Sequence, residues 1–161
     1  MVSHNKDHIT RDLADEAATR ELGAQLAAAL RPGMSLWLRG DLGAGKTTLS
    51  RGLLQGLGYT GKVKSPTYTL LEPYVVSGLN LYHFDLYRFV DPDEWDAAGF
   101  REYFNAHAVC LVEWPEKAGD LLPPPDLDIL LTPQGDGRRA LLQARSATGA
   151  SCLERLSQPD C

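Results

Sequence analysis

Apolar residues along this chain fall into two rhythms, one helical and one strand-like. From Asp15 to Leu30 they return at helical spacing, with Ala18, Leu22, Leu26 and Ala29/Leu30 on one stripe, and Pro32-Gly33 ends the run. Met34 to Leu38 is a short apolar run of strand type. Leu49, Leu53, Leu54 and Leu57 restore the helical period, and Gly58 offers a stop. Tyr59 to Pro66 is polar, carries Gly61 and Pro66, and reads as an exposed loop. Thr67 to Tyr74 and Leu79 to Leu86 are strand-like, and the four residues between them, Val75 to Gly78, suggest an antiparallel hairpin. Asp91-Pro92-Asp93-Glu94 is a helix start in which Asp91 can cap, Pro92 suits the first helical position and Glu94 can reach back. Trp95, Ala98, Gly99 and Tyr103 would share one face of that helix. Ala108 to Val112, ending at Glu113-Trp114, reads as a buried parallel strand. Pro115 and the prolines at 123–125 bracket a short helical turn. Leu127, Ile129 and Leu131 alternate within the strand-like run 126–132, Gly135-Asp136-Gly137 is a turn, and Arg138 to Arg145 returns as the last strand. From Ser146 the chain is polar and is expected to fray.

Composition narrows the setting. With 161 residues, 43% of them hydrophobic and 23% charged, the chain is expected to form one domain over 1–145, with 146–161 as a polar C-terminal tail. No apolar stretch approaches the ~20 residues a membrane span needs, and the first twelve residues lack a hydrophobic signal region. Cys110, Cys152 and Cys161 are an odd number without metal-type spacing, and Cys110 sits in an apolar run as a buried thiol. Together these features suggest a soluble protein of a reducing cytoplasm. The net charge of −5 argues against broad direct contact with nucleic acid, and Arg51, Lys62 and Lys64 read as solvated charges rather than a basic patch.

The chemistry is announced by Gly40-Asp41-Leu42-Gly43-Ala44-Gly45-Lys46-Thr47, which fits the phosphate-loop pattern G-x-x-x-x-G-K-[ST] at every fixed position. Three glycines let backbone N–H groups turn inward around a β-phosphate. Lys46 is placed to reach the β- and γ-phosphates, and the Thr47 hydroxyl to ligate Mg²⁺. Asp41, Leu42, Gly43, Ala44, Gly45, Lys46, Thr47 and Thr48 are therefore the expected nucleotide-binding run. A strand before the loop and a helix after it, aiming its positive end at the anion, supply the context this loop requires.

Hydrolysis also needs acids near the metal and a means of placing water. Asp85 closes the run Leu81-Tyr82-His83-Phe84 and is the first candidate, with a turn or capping aspartate as the competing account. Glu113 ends the most apolar strand, where open α/β sheets place their ligands, and an acid there is costly unless it meets a cation or donors. A role in binding Mg²⁺ or orienting water is favoured for it. Thr67, after Ser65-Pro66, stands where nucleotide switches often carry a sensing threonine, and turn chemistry accounts for it equally well. Arg88 suits either γ-phosphate charge or a surface ion pair, the latter favoured. His83 reads as a satisfied strand histidine, and Tyr68 and Trp114 as core residues, although Trp114 adjoins Glu113. Asp96-Ala97-Ala98-Gly99 matches the D-x-x-G of small GTPases but falls inside a predicted helix. No N-K-x-D motif for guanine lies in a credible place, so ATP is the expected nucleotide.

These blocks together resemble the TsaE family (formerly YjeE), P-loop ATPases of bacterial tRNA threonylcarbamoyladenosine synthesis. The resemblance rests on residues 15–19 and 22–23, Gly-Asp-Leu-Gly-Ala-Gly-Lys-Thr-Thr (40–48), Val-Lys-Ser-Pro-Thr-Tyr-Thr-Leu (63–70), His-Phe-Asp-Leu-Tyr-Arg (83–88), Asp-Pro-Asp-Glu (91–94) and Leu-Val-Glu-Trp-Pro (111–115). It covers residues 10 to 145. It implies a P-loop NTPase fold, an α/β architecture with a mostly parallel central sheet, antiparallel strands added at its edges and helices on both faces. It also implies that Thr47 and Glu113 meet Mg²⁺, that Asp85 joins the same acidic cluster, and that Thr67 is switch-like. Asp15 or Glu16 and Arg138 would lie near the adenine, with Arg138 able to stack on it. The implied activity is low intrinsic, Mg²⁺-dependent ATP hydrolysis, stimulated in a complex with the TsaB–TsaD pair, with tRNA met only indirectly and no membrane involved.

Two other readings fit a phosphate loop. A small-molecule kinase usually closes an arginine-bearing lid, and after Leu86 this chain offers only Arg88 and Arg101, separated by a predicted helix. A non-catalytic ATP-dependent interaction switch would bind nucleotide and partner without turnover.

Overall fold

The computed structural model describes residues 7–41, 43–64, 66 and 69–157. Their strands are β1 (His8–Leu13), β2 (Ser35–Arg39), β3 (Leu71–Val76), β4 (Leu79–Asp85), β5 (Ala108–Glu113), β6 (Leu127–Gln134) and β7 (Gly137–Ala144). They form one seven-stranded sheet in the order β1-β7-β6-β2-β5-β4-β3. The centre, β6-β2-β5-β4, is parallel, while β1 and β7 on one side and β3 on the other pair antiparallel. A mostly parallel sheet with antiparallel additions at its edges is the expected architecture.

Helices α1 (Glu16–Ala29), α2 (Lys46–Gly56) and α4 (Ala147–Ser157) share one core with the sheet, built on Leu22, Leu26, Leu36, Leu38, Leu49 and Leu153. Alternation along the strands sends Phe84 and Val112 into a second core. There they meet α3 (Asp93–Ala98) and the 3-10 segments Phe100–Tyr103 and Pro115–Leu121. Phe84 packs against Trp95, Phe100 and Phe104 at ring-centroid distances of 5.7, 5.2 and 5.5 Å.

Local chemistry explains most boundaries. Asp15 caps α1 by accepting from Ala18 N–H at 2.8 Å. Glu94 Oε1 accepts from the Val90 and Asp91 N–H groups, and Asp91 Oδ1 from that of Asp93, so both acids bond the start of the segment as expected, although α3 itself begins at Asp93 with Pro92 in the cap position. Gly99, with φ +70°, then ends α3 at Ala98, and Tyr103 belongs to the separate 3-10 segment rather than to the same helix. In the β3–β4 hairpin both turn residues, Ser77 and Gly78, have positive φ (52° and 75°), the pattern of a two-residue turn matched to strand twist. Val75 and Val76 therefore extend β3 instead of forming the turn, and β3 begins at Leu71, with Thr69 and Leu70 outside it and Thr67 and Tyr68 outside the described residues.

The two ends of the chain depart from expectation. No element was expected before Asp15, yet β1 pairs along its length with β7 and turns Ile9 and Leu13 inward. Nor does the fraying expected from Ser146 hold for 147–157, where α4 buries Gly149, Ala150, Cys152, Leu153 and Leu156. Small residues let α4 settle closely, since a Cβ on Gly149 would lie 1.9 Å from Asp126 O. Arg155 then donates through Nε and Nη2 to Ala29 O at 3.0 and 2.7 Å, satisfying a carbonyl at the end of α1.

Candidate active site

The glycine turn leads straight from β2 into α2. Gly40, Gly43 and Gly45 all have positive φ (150°, 78° and 104°), which L side chains resist, and a Cβ on Gly40 would come within 2.7 Å of Leu131 O. Gly45 precedes α2 in the left-handed region, and among the described residues no side chain caps the helix. An uncapped helix start of this kind is suited to binding an anion. Lys46 starts α2 with only 6% of its surface exposed. Its ammonium donates to Gly40 O at 2.5 Å and lies 4.0 Å from the centroid of the Trp114 ring. Burial lowers the Lys46 pKa, and the charges of Glu113, Asp85, Glu116 and Asp41 oppose that shift. The ammonium is therefore a desolvated cation facing carboxylates.

Those carboxylates arrive by strand register. Asp85, the last residue of β4, is paired with Glu113, the last of β5, and Glu113 is paired on its other side with Leu38 of β2, two residues before the glycine turn. Asp85 and Glu113 are 6% and 5% exposed. Lys46, Thr47, Asp85, Arg88, Glu113 and Trp114 line one cavity of about 470 Å³. Two carboxylates and a hydroxyl are the hard oxygen donors that suit Mg²⁺, a cation that draws its remaining ligands from water and phosphate. Trp114 holds φ 58° and ψ 49°, a costly conformation for a bulky residue, and this turn sets its ring over Lys46.

Burial pushes the Asp85 carboxyl above its ordinary range, and the charge of Glu113 adds to this; the Tyr87 N–H donated to Oδ1 at 2.9 Å, then His83 and Lys46, pull the other way. A carboxyl whose folded pKa is raised binds its proton more tightly in the folded state. Its ionisation therefore weakens the fold as pH rises from the unfolded pKa through the folded one. Asp85→Asn, which keeps an acceptor for Tyr87, is predicted to raise the melting temperature of nucleotide-free protein at pH 7. The gain should shrink in acid, where Asp85 takes up its proton. A variant no more stable than its parent at pH 7 would show that this charge does not burden the fold.

A second cavity of about 340 Å³ lies beyond the glycine turn and shares Gly43, Gly45 and Thr48 with the first. Asp15, Glu16, Asp136 and Arg138 line it, so the residues expected near the adenine share one wall system. Each is also engaged by the protein. Asp15 caps α1, and Thr48 Oγ1 donates to Glu16 Oε1 at 3.3 Å. Arg138 donates to Gly43 O at 2.8 Å and Ala44 O at 3.0 Å. The guanidinium thus grips the glycine turn from β7, a role unseen in the sequence.

Leu42, Thr67 and Tyr68 lie outside the described residues. Asp96 sits in α3, 3.6 Å from Arg101, so the GTPase-like D-x-x-G is helical, as expected. His83 is the residue that sequence reading undervalued. Its Nε2 stands 2.6 Å from Glu113 Oε2, deep in the fold. The available signal was its spacing of two from Asp85, which puts both on one strand face.

Residues 13–141 match the family described as threonylcarbamoyl adenosine biosynthesis protein TsaE. A Haemophilus influenzae protein described as tRNA threonylcarbamoyladenosine biosynthesis protein TsaE is 42% identical over 156 residues, covering 94% of this chain and 99% of that protein. A Bacillus subtilis protein of the same description is 43% identical over 123 residues, covering 76% and 77%. The crystal structure of Bacillus subtilis YdiB superposes with a TM-score of 0.82 at 34% identity, over 96% of this chain and 97% of that one.

Proposed function

The chain belongs to the TsaE family, and on that premise we propose that it is the ATP-hydrolysing subunit that acts with a TsaB–TsaD pair in forming the threonylcarbamoyl group on the adenosine beside the tRNA anticodon. The observation that carries the reading is convergence. Lys46 from α2, Asp85 from β4 and Glu113 from β5 line one cavity against the glycine turn, although the first and last stand 67 positions apart in sequence.

In this reading the backbone N–H groups of residues 43–48 hold the β-phosphate, and Lys46 neutralises charge that develops on the γ-phosphate. Leaving Gly40 O and the Trp114 ring for a phosphate is favourable because the cation is already desolvated. Thr47, Asp85 and Glu113 would hold magnesium, whose chemistry is to draw negative charge off the phosphates. Glu113 orients the attacking water and can take its proton. Thr67 senses the γ-phosphate, and Asp15, Glu16 and Arg138 wall the adenine end. Among the described residues no helix is long and apolar enough to cross a membrane, and the net charge of −5 favours a protein as the immediate partner with tRNA reached through it. A cytoplasmic location accompanies that role.

Phosphate release from the purified chain, alone and with TsaB and TsaD, tests the proposal. Slow release alone and a several-fold rise with both partners are expected, with strict dependence on Mg²⁺. No rise with the partners, or transfer of the phosphoryl group to a small molecule in place of free phosphate, would overturn it.

A further inference from the structure

His83 stands two residues before Asp85 on β4, on the strand face that shares a core with α2, and is 2% exposed. Its Nε2 lies 2.6 Å from Glu113 Oε2. Its Nδ1 is buried without a hydrogen-bond partner. A histidine retained for packing is expected to satisfy both ring nitrogens or to give way to an apolar side chain, because an unpaired buried polar atom is costly. Here the ring spends its one hydrogen bond on a single carboxylate oxygen. The other oxygen of that carboxylate, Oε1 of Glu113, has no hydrogen-bond partner among the described residues, and the side chain lines the cavity beside Lys46 and Asp85. A glutamate in that place has two competing pulls, repulsion from Asp85 and attraction to Lys46. Either would turn a carboxylate free to rotate about its side-chain bonds.

We propose that His83 is a positioning residue that tethers Oε2 of Glu113 and so presents Oε1 to the cavity in the rotamer needed to act on water. The tether fixes direction rather than supplying a reacting group, as outer partners of catalytic carboxylates and metal ligands do. This inference rests on the reading of Glu113 given under Proposed function.

Four chains separate the tether from that reading: the parent, Glu113→Ala, His83→Leu and His83→Gln. Glutamine can place an amide N–H near the position of the imidazole Nε2; leucine cannot. Partner-stimulated phosphate release is measured against ATP concentration, alongside ADP binding by calorimetry. His83→Leu is expected to lower kcat about 10- to 100-fold, with KM and ADP affinity close to the parent. His83→Gln is expected to recover much of kcat. An imidazole proton NMR signal from Nε2–H, shifted downfield and slow to exchange, should be present in the parent and lost in Glu113→Ala. Parental turnover in His83→Leu overturns the proposal, as does equal loss in the glutamine and leucine variants, a loss confined to KM, or the absence of the protected proton. If Glu113→Ala itself turns over like the parent, the reading of Glu113 fails and the tether has no object, whereas a dead Glu113→Ala beside a fully active His83→Leu sinks the tether alone.

Discussion

Replacing Glu113 by alanine is expected to leave ATP binding nearly intact while partner-stimulated hydrolysis falls about 10²- to 10⁴-fold. Lys46→Ala is expected to lose both. The contrast follows from where the two side chains stand. Lys46 closes the glycine turn and starts α2, whose first turn would receive the phosphates in the proposed reading, so its loss would remove charge from bound nucleotide in ground and transition states alike. Glu113 enters from β5 on the far wall of the same cavity, with one carboxylate oxygen held by His83. Under the proposed reading its pull on the nucleotide through magnesium is offset by its own repulsion of the γ-phosphate, so its loss should change ATP binding little. In the proposed reading its contribution would arise when water attacks. Calorimetry with a non-hydrolysable ATP analogue and phosphate release with TsaB and TsaD check the two halves separately. Glu113→Ala that hydrolyses ATP at the parental rate would remove the carboxylate from the chemistry. Lys46→Ala that binds ATP normally would remove the glycine turn from the binding site.

The parts of the site readable from sequence are those set by local rules. The glycine turn needs three residues with positive φ and a helix directly behind them, and both demands are written into consecutive positions. Asp85 and Glu113 could be suspected because each closes an apolar run, and strand ends in an open sheet face the ligand side. That they are register partners is a property of sheet order, with β5 inserted between β2 and β4, and no local pattern encodes it. The same limit explains what was missed. β1 has only Ile9 and Leu13 facing inward, too few for a period of two to stand out, and its stability comes from β7, more than a hundred residues away. α4 buries small residues and one cysteine beside two leucines, so its apolar stripe was diluted by Ala147, Thr148, Gly149 and Ala150. Arg138 was placed beside the nucleotide, but its hold on Gly43 and Ala44 carbonyls requires β7 and the glycine turn to meet in space.

Gly52→Ala is predicted to destabilise the chain by about 3 kcal/mol, the reverse of what helix propensity alone would give. Alanine in a helix interior normally gains up to about 1 kcal/mol over glycine. At this position a Cβ would lie 2.2 Å from Arg20 O and 2.8 Å from Arg20 Cα, and a Cβ on Gly23 across the contact would lie 2.4 Å from Leu49 O. These neighbours are backbone atoms, so no rotamer change relieves the overlap. α1 and α2 must move apart, opening the packing around Leu22, Leu26, Leu49 and Leu53 that both helices bury against the sheet. For a domain of this size, that cost corresponds to a fall of about 6–12 °C in melting temperature. The effect should reach the site, because α2 begins with Lys46 and Thr47, and a shifted α2 carries both away from Asp85 and Glu113. ATP affinity should therefore weaken along with stability, even at temperatures where the variant remains folded. Circular dichroism melts and ATP calorimetry on Gly52→Ala measure the two effects. A melting temperature equal to or above the parent would mean that the two helix backbones are not in contact at Gly52, and that α2 is positioned by the sheet alone.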